Sequence, residues 1–513
     1  MATQGLSSLL SETSFSVKKD EVREIKKTFK GYYIHHQELQ MRVTLINPPL
    51  GEKRNPVIEH LFFNSLPLGL AYIAAVLERE GMAVDLIDAP VERLSPSGVV
   101  DRICDFAPDA IGITSTTTFF KNAREIAAPI KKRKPEVPII IGGNHITIHP
   151  EELLKHSYFD FAVLGEGEVT MIELLDAISG GREIGRVKGI AYRKNAQLRI
   201  APKRERIKDL DSLPFPARHL LPIHRYSPMP NDEYRLPKTA MITSRGCPYH
   251  CIFCDHNVYG NLYTSYTPRR IVLEMKHLVD TYGIKDIAFV DSLFAISREK
   301  VEGFLKEMEK ERMNVTWTCT IRCDTMHKSL LKRMKEAGCW RVRIGIESGN
   351  EEVLRFIKKG VSKEEIRRVV KWADEVNLQP KAFFMLGHCS DTRETIEETI
   401  RFARSIPLKD ITVQLNTPLK GTEQFTLYKK YGDLVSNNPE DYSFWQPVFL
   451  PQGLTYVDLL KAQRRFYRRF YLRPIIWWRH LRHIRRFSDL ERYLRALKLL
   501  FHLFFFNLKR KVS

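Results

Sequence analysis

The chain has 513 residues, 43% of them hydrophobic, and carries 81 Lys and Arg against 61 Asp and Glu, a formal net charge of +20. That length predicts two or three domains with several buried cores, and the apolar content excludes a disordered chain. Eight cysteines over this length exclude a disulfide scaffold. No stretch reaches the ~20 apolar residues of a membrane span.

Residues 1–40 read as a polar helical or loose extension. Lys18–Lys30 is densely charged and no apolar core precedes a cleavage site, so no secretory signal is predicted. Met41 opens the first clear strand and allows a later translation start.

Residues 41–185 alternate apolar runs with helical patterns. The predicted strands are Arg42–Asn47, Ala83–Asp88, Ala110–Ser115, Pro138–Gly142 and Phe161–Gly165, and the helices between them include Leu68–Glu80, Gly98–Phe106 and Phe120–Lys132. Such alternation predicts an α/β fold with a parallel, doubly wound sheet, whose ligands sit beyond the carboxyl ends of the strands. Polar and glycine-rich turns fall there: Asn47-Pro48-Pro49, Thr114-Ser115-Thr116, Gly142-Gly143-Asn144-His145 and Gly165-Glu166-Gly167-Glu168. Residues 186–235 hold a short hairpin (Gly189–Arg193, Gln197–Ala201) and two Pro-rich runs, ending at Pro228-Met229-Pro230, and read as an ordered linker.

A second alternation fills 236–450. Strands fit Thr239–Ser244, Asp286–Asp291, Val315–Ile321, Val342–Ile346, Lys381–Leu386 and Ile411–Asn416; helices fit Pro268–Tyr282, Arg298–Lys310, Ser329–Ala337, Ser362–Glu375 and Thr392–Ser405. Six such units predict an open (β/α)6 barrel with functional loops at the carboxyl ends of its strands. The basic character belongs to the 451–513 tail. From Lys461 to Ser513 there are 16 Lys and Arg against 2 Asp and Glu. Phe466, Tyr467, Phe470 and Tyr471, then Trp477-Trp478 and Leu499–Phe506, interleave with those cations. This composition predicts a helix lying in a lipid interface. The competing reading is a helical cap on the barrel with a solvated basic face. Nucleic acid would suit the aromatics and cations, but no recognition fold accompanies them.

Cys247, Cys251 and Cys254 form a C-x3-C-x2-C triplet after the first barrel strand. Three thiolates on one loop suit an iron–sulfur cluster whose geometry asks for four, which leaves one iron open. A zinc site would want a fourth ligand at proper spacing, and His250 and His256 only flank the triplet. A ferredoxin-type carrier would continue with a fourth cysteine, and a purely structural role for three cysteines on one Pro-containing loop is the third alternative. Arg245 is placed to offset thiolate charge. Cys319 and Cys323 form a second C-x3-C on a predicted strand, where core or barrel-lining packing is expected. Free thiols point to a reducing, cytoplasmic compartment.

The triplet, with Phe253 before its last cysteine, resembles the signature of the radical S-adenosylmethionine superfamily. The preceding domain is similar to the cobalamin-binding domain found in one branch of it, a resemblance covering residues 41–475 and including Phe470-Tyr471-Leu472-Arg473-Pro474. That branch includes C-methyltransferases and proteins resembling the anaerobic magnesium-protoporphyrin monomethyl ester cyclase. The resemblance implies a 4Fe-4S cluster on the three cysteines, S-adenosylmethionine chelating the open iron, and a 5′-deoxyadenosyl radical after one-electron cleavage. Phe253, Gly345, Glu347, Ser348 and Gly349 would meet S-adenosylmethionine, with Arg322 for its carboxylate and Asp291 and Ser292 for its ammonium. Ion pairing of Arg322 with Asp324 or Glu347, and loop capping by Asp291, compete with those roles.

Cobalamin would meet Asn47, Pro48, Thr114, Ser115, Gly142, Gly143, Gly165, Glu166 and Gly167, with Gly142-Gly143 allowing close backbone approach. No Asp-x-His-x-x-Gly offers a lower cobalt ligand, and His145 is the one tempting substitute. Pro67–Leu70 and Tyr259–Tyr266 would wall the space between the cofactors. Met385–Thr392 departs from the Gly-x-Pro-Gly-Glu/Asp-Thr turn of the family and places His388 and Cys389 near the barrel mouth, as plain loop or as substrate contacts. Pro418–Thr422 keeps Pro-x-x-Gly-Thr. The expected reaction is methylation of an unactivated carbon of a lipid-like or secondary-metabolite substrate, fed by a flavodoxin- or ferredoxin-type donor, with the tail at the inner membrane face. Oxidative cyclisation is the alternative reaction, and a cobalamin or redox sensor the non-enzymatic one.

Overall fold

A computed structural model describes residues 41–50, 66–226 and 232–481. The expectations for residues 1–40, Pro228–Pro230 and Leu499–Phe506 lie outside the described residues.

β1 (Arg42–Asn47), β2 (Ala83–Asp88), β3 (Ala110–Thr114), β4 (Ile139–Gly142) and β5 (Phe161–Val163) form a parallel sheet in the order 2-1-3-4-5. Its strands are nearly continuous apolar runs because helices cover both faces. Leu68–Arg79 and Glu168–Ile178 bury one face, Pro96–Phe106 and Phe120–Arg133 the other. The order reverses between β1 and β3, which opens a crevice beyond their carboxyl ends. The hairpin belongs to this sheet and not to the linker: β6 (Ile190–Lys194) pairs antiparallel with β5, and β7 (Gln197–Ile200) with β6. It covers an edge that would otherwise present unpaired backbone, and moves the domain's end from 185 to about Ile200. The linker that follows is a strap. Ala217 donates its N–H to Ala71 O at 2.9 Å, and buried Arg218 reaches Glu274 of the barrel at 2.8 Å.

The barrel sheet is β8 (Lys238–Met241), β11 (Asp286–Phe289), β12 (Thr316–Ile321), β13 (Cys339–Glu347), β14 (Gln379–Leu386) and β15 (Asp410–Leu415), all parallel and in sequential order. Two short strands between them, β9 (Ser244–Arg245) and β10 (Thr264–Ser265), pair antiparallel. Helices Pro268–Tyr282 and Arg298–Lys310 have the expected bounds. Ser362 and Thr392, expected as first helical residues, are N-caps with reciprocal capping boxes. Trp317 on β12 is enclosed by Phe289, Phe294 and Phe304. Cys319 and Cys323 are buried core, as expected.

The barrel is open, and its last strand has a bare edge. Helix Tyr456–Tyr471 closes it. Gln463 Nε2 donates to Val413 O at 2.9 Å, Val413 N–H donates to the Tyr467 hydroxyl at 2.8 Å, and Ile411 N–H donates to the Tyr471 hydroxyl at 3.2 Å. Phe466 and Phe470 are fully buried, Phe466 against Phe384. These four aromatics are therefore a barrel cap and not a lipid-facing stripe, because an unpaired sheet edge in an apolar setting must find partners. No described helix is long and apolar enough to cross a membrane. Tyr467→Phe should cost about 1–3 kcal/mol of stability by stranding the Val413 N–H, measured as a lower urea midpoint; Arg468→Ala, on the exposed face, should change it by less than about 0.5 kcal/mol.

Candidate active site

The cysteine triplet sits in the 246–263 loop, pinched at its base by the β9–β10 ribbon. Gly246 has φ +79°, and a Cβ there would lie 2.0 Å from Leu262 O, so the entry to the loop admits only glycine. Asp291, at the end of the second barrel strand, fixes that entry. It accepts from Thr243 N at 2.6 Å, Thr243 Oγ1 at 2.8 Å and Ser244 N at 2.7 Å. Both its oxygens are thus engaged within the protein, while Ser292 is exposed. Burial outweighs these bonds and pushes the Asp291 carboxyl up to about 6. Ile252, inside the triplet, is tied on both sides, donating to Ile357 O and accepting from Gln424 N.

Cys251 is buried, and Cys247 and Cys254 are half-buried. The Cys254 thiol donates to Cys251, and that bond, with Lys359 and Arg322 nearby, holds the Cys251 thiol below its usual value. The donated bond and burial push Cys254 up. All three are free thiols on one loop, a soft donor set that suits an iron–sulfur cluster.

The cations facing the thiolates are Lys359 and Arg322, not Arg245. Lys359 is buried (8% exposed) and donates to Glu347 Oε1 at 2.9 Å. Burial would lower its ammonium, but Glu347 and Cys251 hold it above its usual value. Sequence reasoning missed it because Lys358-Lys359-Gly360 reads as a solvated helix end. Glu347 carries φ +65°, a strained conformation for a non-glycine residue that turns its carboxylate toward Lys359. A Cβ on Gly345 would come within 2.5 Å of that carboxylate and 2.9 Å of Lys359 Nζ, so this glycine makes room for the pair. Ser348 and Gly349 face the other way. Ser348 bonds Thr399, and a Cβ on Gly349 would lie 2.5 Å from Phe402 Cβ, so its close neighbour is the Arg393–Ser405 helix. Arg322 pairs with Asp324 at 3.0 Å, donates to Lys359 O at 2.8 Å and lies 3.4 Å over the Tyr249 ring.

A cavity of about 920 Å3 opens beyond the carboxyl ends of β1, β3, β4 and β5, at the large end of small-molecule sites. Asn47, Pro48, Thr114, Ser115, Gly142, Gly143, Gly165, Glu166 and Gly167 all line it. Its apolar floor comes from Leu45, Leu70, Ile113 and Met171. A Cβ on Gly69 or Gly165 would meet nothing within 4 Å, so both leave free volume for a broad, flat group, although Gly165 also has φ +84°, which favours glycine. Gly143 has another reason: φ +100° and a Cβ position 2.4 Å from Ser115 O. His145 is absent from the wall. It is buried against Phe120 at 4.1 Å and His149 at 4.7 Å, and burial drives its imidazole down to about 3. The expectation of a ligand at His145 is corrected accordingly.

The far wall comes from the barrel. Asp255, Val258 and Tyr259, just past Cys254, line the cavity, as do Leu419 and the Glu440–Gln446 segment with Tyr442 and Trp445. Pro67, Gly69, Leu70 and Tyr259 line it as expected, whereas Tyr266 is core, stacked on Tyr72. The aromatic run Tyr442-Ser443-Phe444-Trp445 was the available signal for the missed wall. Arg245 binds the two halves together. Buried beside Tyr72, it reaches Glu166 at 2.7 Å and Glu168 at 2.5 Å.

Residues 54–175 match the B12 binding domain family, and residues 241–403 match the radical SAM superfamily. An uncharacterized methyltransferase of Pyrococcus horikoshii is 33% identical over 85% of this chain and 93% of its own length. The chain belongs to the cobalamin-binding radical S-adenosylmethionine enzymes. The anaerobic magnesium-protoporphyrin IX monomethyl ester cyclase of Rubrivivax gelatinosus is 28% identical over 79% of this chain and 74% of its own. The fold is also that of the cobalamin-dependent S-adenosylmethionine radical enzyme OxsB, with a TM-score of 0.71 over 94% of this chain and 76% of that one at 15% identity. The cofactors of this enzyme family are cobalamin, S-adenosylmethionine and an iron–sulfur cluster.

Asp291 gives this enzyme a pH signature. Its folded-state carboxyl stays protonated to about 6, against 3.8 for the ordinary group. The stability it contributes is full below the lower value and lost as pH rises through the upper one. Asp291→Asn should flatten, without abolishing, the fall in urea midpoint between those limits, because Asp88 and Asp391 are raised alike.

Proposed function

We propose that this enzyme C-methylates an unactivated carbon of a small-molecule substrate, with Cys247, Cys251 and Cys254 holding a 4Fe-4S cluster and the large cavity holding cobalamin. The observation that carries this reading is the shared wall. Asp255, Val258 and Tyr259 continue directly from the last cysteine into the cavity lining, so a group in the cavity adjoins the cysteine loop.

When bound, the cluster supplies the electron that cleaves S-adenosylmethionine to a 5′-deoxyadenosyl radical, and cobalamin supplies a methyl group. The chain's part is to bind, orient and exclude water. Lys359 and Arg322 offset thiolate charge. Phe253, Gly345 and Glu347 present the barrel mouth to S-adenosylmethionine, while Arg322 keeps its fork on Asp324 and Asp291 its oxygens on the loop entry. The threonines and serine after β3 and the glycines after β4 and β5 take the cobalamin ring. One-electron supply falls to a flavodoxin- or ferredoxin-type donor.

The methyltransferase relative supports methylation; the cyclase relative supports oxidative cyclisation as a second reading. Product mass separates them. Protein reconstituted anaerobically with iron, sulfide and cobalamin, supplied with extract of a deletion strain, should release 5′-deoxyadenosine and a product heavier than its precursor by one CH2. A product lighter by two hydrogens selects the cyclase, and no 5′-deoxyadenosine with reduced cluster selects a sensor. Cys251→Ala should abolish release. Gly69→Leu, which fills open cavity volume, should weaken aquocobalamin binding by about tenfold or more with unchanged iron content.

A further inference from the structure

Asp88 has no assigned part in this scheme, yet it is a buried carboxylate at the edge of the large cavity. It ends β2 and is 1% exposed. Its register partner is Asn47, the last residue of β1, and register partners on neighbouring parallel strands project their side chains to the same face. Asn47 lines the cavity and Asp88 does not, so the amide stands between the carboxylate and the open space.

The groups around Asp88 fix which way round that amide sits. Asn47 Nδ2 donates to Asp88 Oδ1 at 2.8 Å, and the Tyr226 hydroxyl donates to Asp88 Oδ2. Glu92 accepts from the Asp88 N–H at 3.0 Å and is itself paired with Arg102. Burial, with Glu92 nearby, pushes the Asp88 carboxyl up to about 6 against the pull of the two donated bonds. It is therefore an anion at neutral pH, and a carboxylate only accepts. Asn47 must then turn its nitrogen toward Asp88 and its oxygen away. Among the described residues nothing bonds Asn47 Oδ1. The turn that follows adds no donor, because Pro48 and Pro49 carry no N–H, and it is anchored by buried Asn122, which donates to Pro49 O at 2.8 Å.

We propose that Asp88 is a positioning residue that aims Asn47 Oδ1 into the cavity, where it accepts a hydrogen bond from a peripheral carboxamide of cobalamin. The inference rests on cobalamin occupying the cavity. Corrin side chains end in primary amides, and an amide N–H taken out of water needs an acceptor. The corner after β1 supplies one whose direction is set by a buried charge behind it. Tyr226 belongs to the strap between the sheet and the barrel, so the strap holds the carboxylate that aims the amide.

The test is equilibrium dialysis of aquocobalamin against full-length protein loaded with its cluster. Asn47→Leu should weaken binding by about tenfold or more, equivalent to about 1.4 kcal/mol, with iron content unchanged. Asp88→Ala alone should weaken it by a similar factor, yet by less than about twofold when added to Asn47→Leu, because nothing is left to position. Equal losses in the two backgrounds make Asp88 a structural group and overturn the inference. Where Asp88→Ala fails to fold, Asp88→Asn replaces it, since an amide there donates as readily as it accepts and the direction is lost. Cyanocobalamin derivatives with one carboxamide hydrolysed to the acid give a second readout. The wild-type protein should bind at least one of them about tenfold more weakly than cyanocobalamin itself, and Asn47→Leu should narrow that gap to within about threefold. Wild-type affinity in Asn47→Leu, or equal binding of every derivative by the wild-type protein, overturns this inference alone. Absence of aquocobalamin binding by the wild-type protein overturns the cavity assignment as well.

Discussion

One buried guanidinium joins the two halves of this enzyme. Arg245 is the last residue of β9, two positions before Cys247, and its partners Glu166, in the loop after β5, and Glu168, at the start of the next helix, line the large cavity. Removing one partner from a buried ion pair strands charge in a low-dielectric setting and costs about 3–5 kcal/mol. The cysteine loop and the cavity wall therefore cannot part without exposing or stranding these charges. Adjacency of the cysteine loop and the cavity follows from that joint, and the Arg218–Glu274 pair in the strap reinforces it.

Around the joint, the open barrel is made rigid by groups that contribute no chemistry. Asp291 ties the second strand to the entry of the cysteine loop, and Gln424 ties the loop's centre to the turn after the fifth strand. Helix Tyr456–Tyr471 satisfies the free edge of the last strand with tyrosine and glutamine side chains. Each device is a buried polar group whose loss leaves an unpaired partner, so the geometry at the barrel mouth is held by satisfaction of hydrogen bonds more than by propensity.

Much of this was legible in the sequence, for identifiable reasons. Strand–helix alternation has a strong period, and it placed every strand of both sheets to within a few residues. The polar turns after β1, β3, β4 and β5 meet along one cavity, because such loops sit together at the carboxyl ends of the strands. What failed was the direction of individual side chains. Arg245 was read toward the thiolates and turns to the other domain; His145 was read toward the cavity and lies under Phe120; Phe466 and Phe470 were read as lipid-facing and are core. Pattern along a chain gives a face, while the partner on that face comes from another segment, 79 positions away for Arg245 and Glu166. Lys359 escaped although Glu347 is only 12 positions away, because the pairing depends on the left-handed backbone at Glu347.

The claim on which the rest depends is that Arg245 couples the cavity loop to the cysteine loop. Amide hydrogen exchange on the full-length Arg245→Met protein tests it directly, read over residues 164–171 and 246–263. Exchange should quicken in both segments together by roughly a hundredfold, as the loss of a buried ion pair implies. Unchanged protection in either segment would contradict the account.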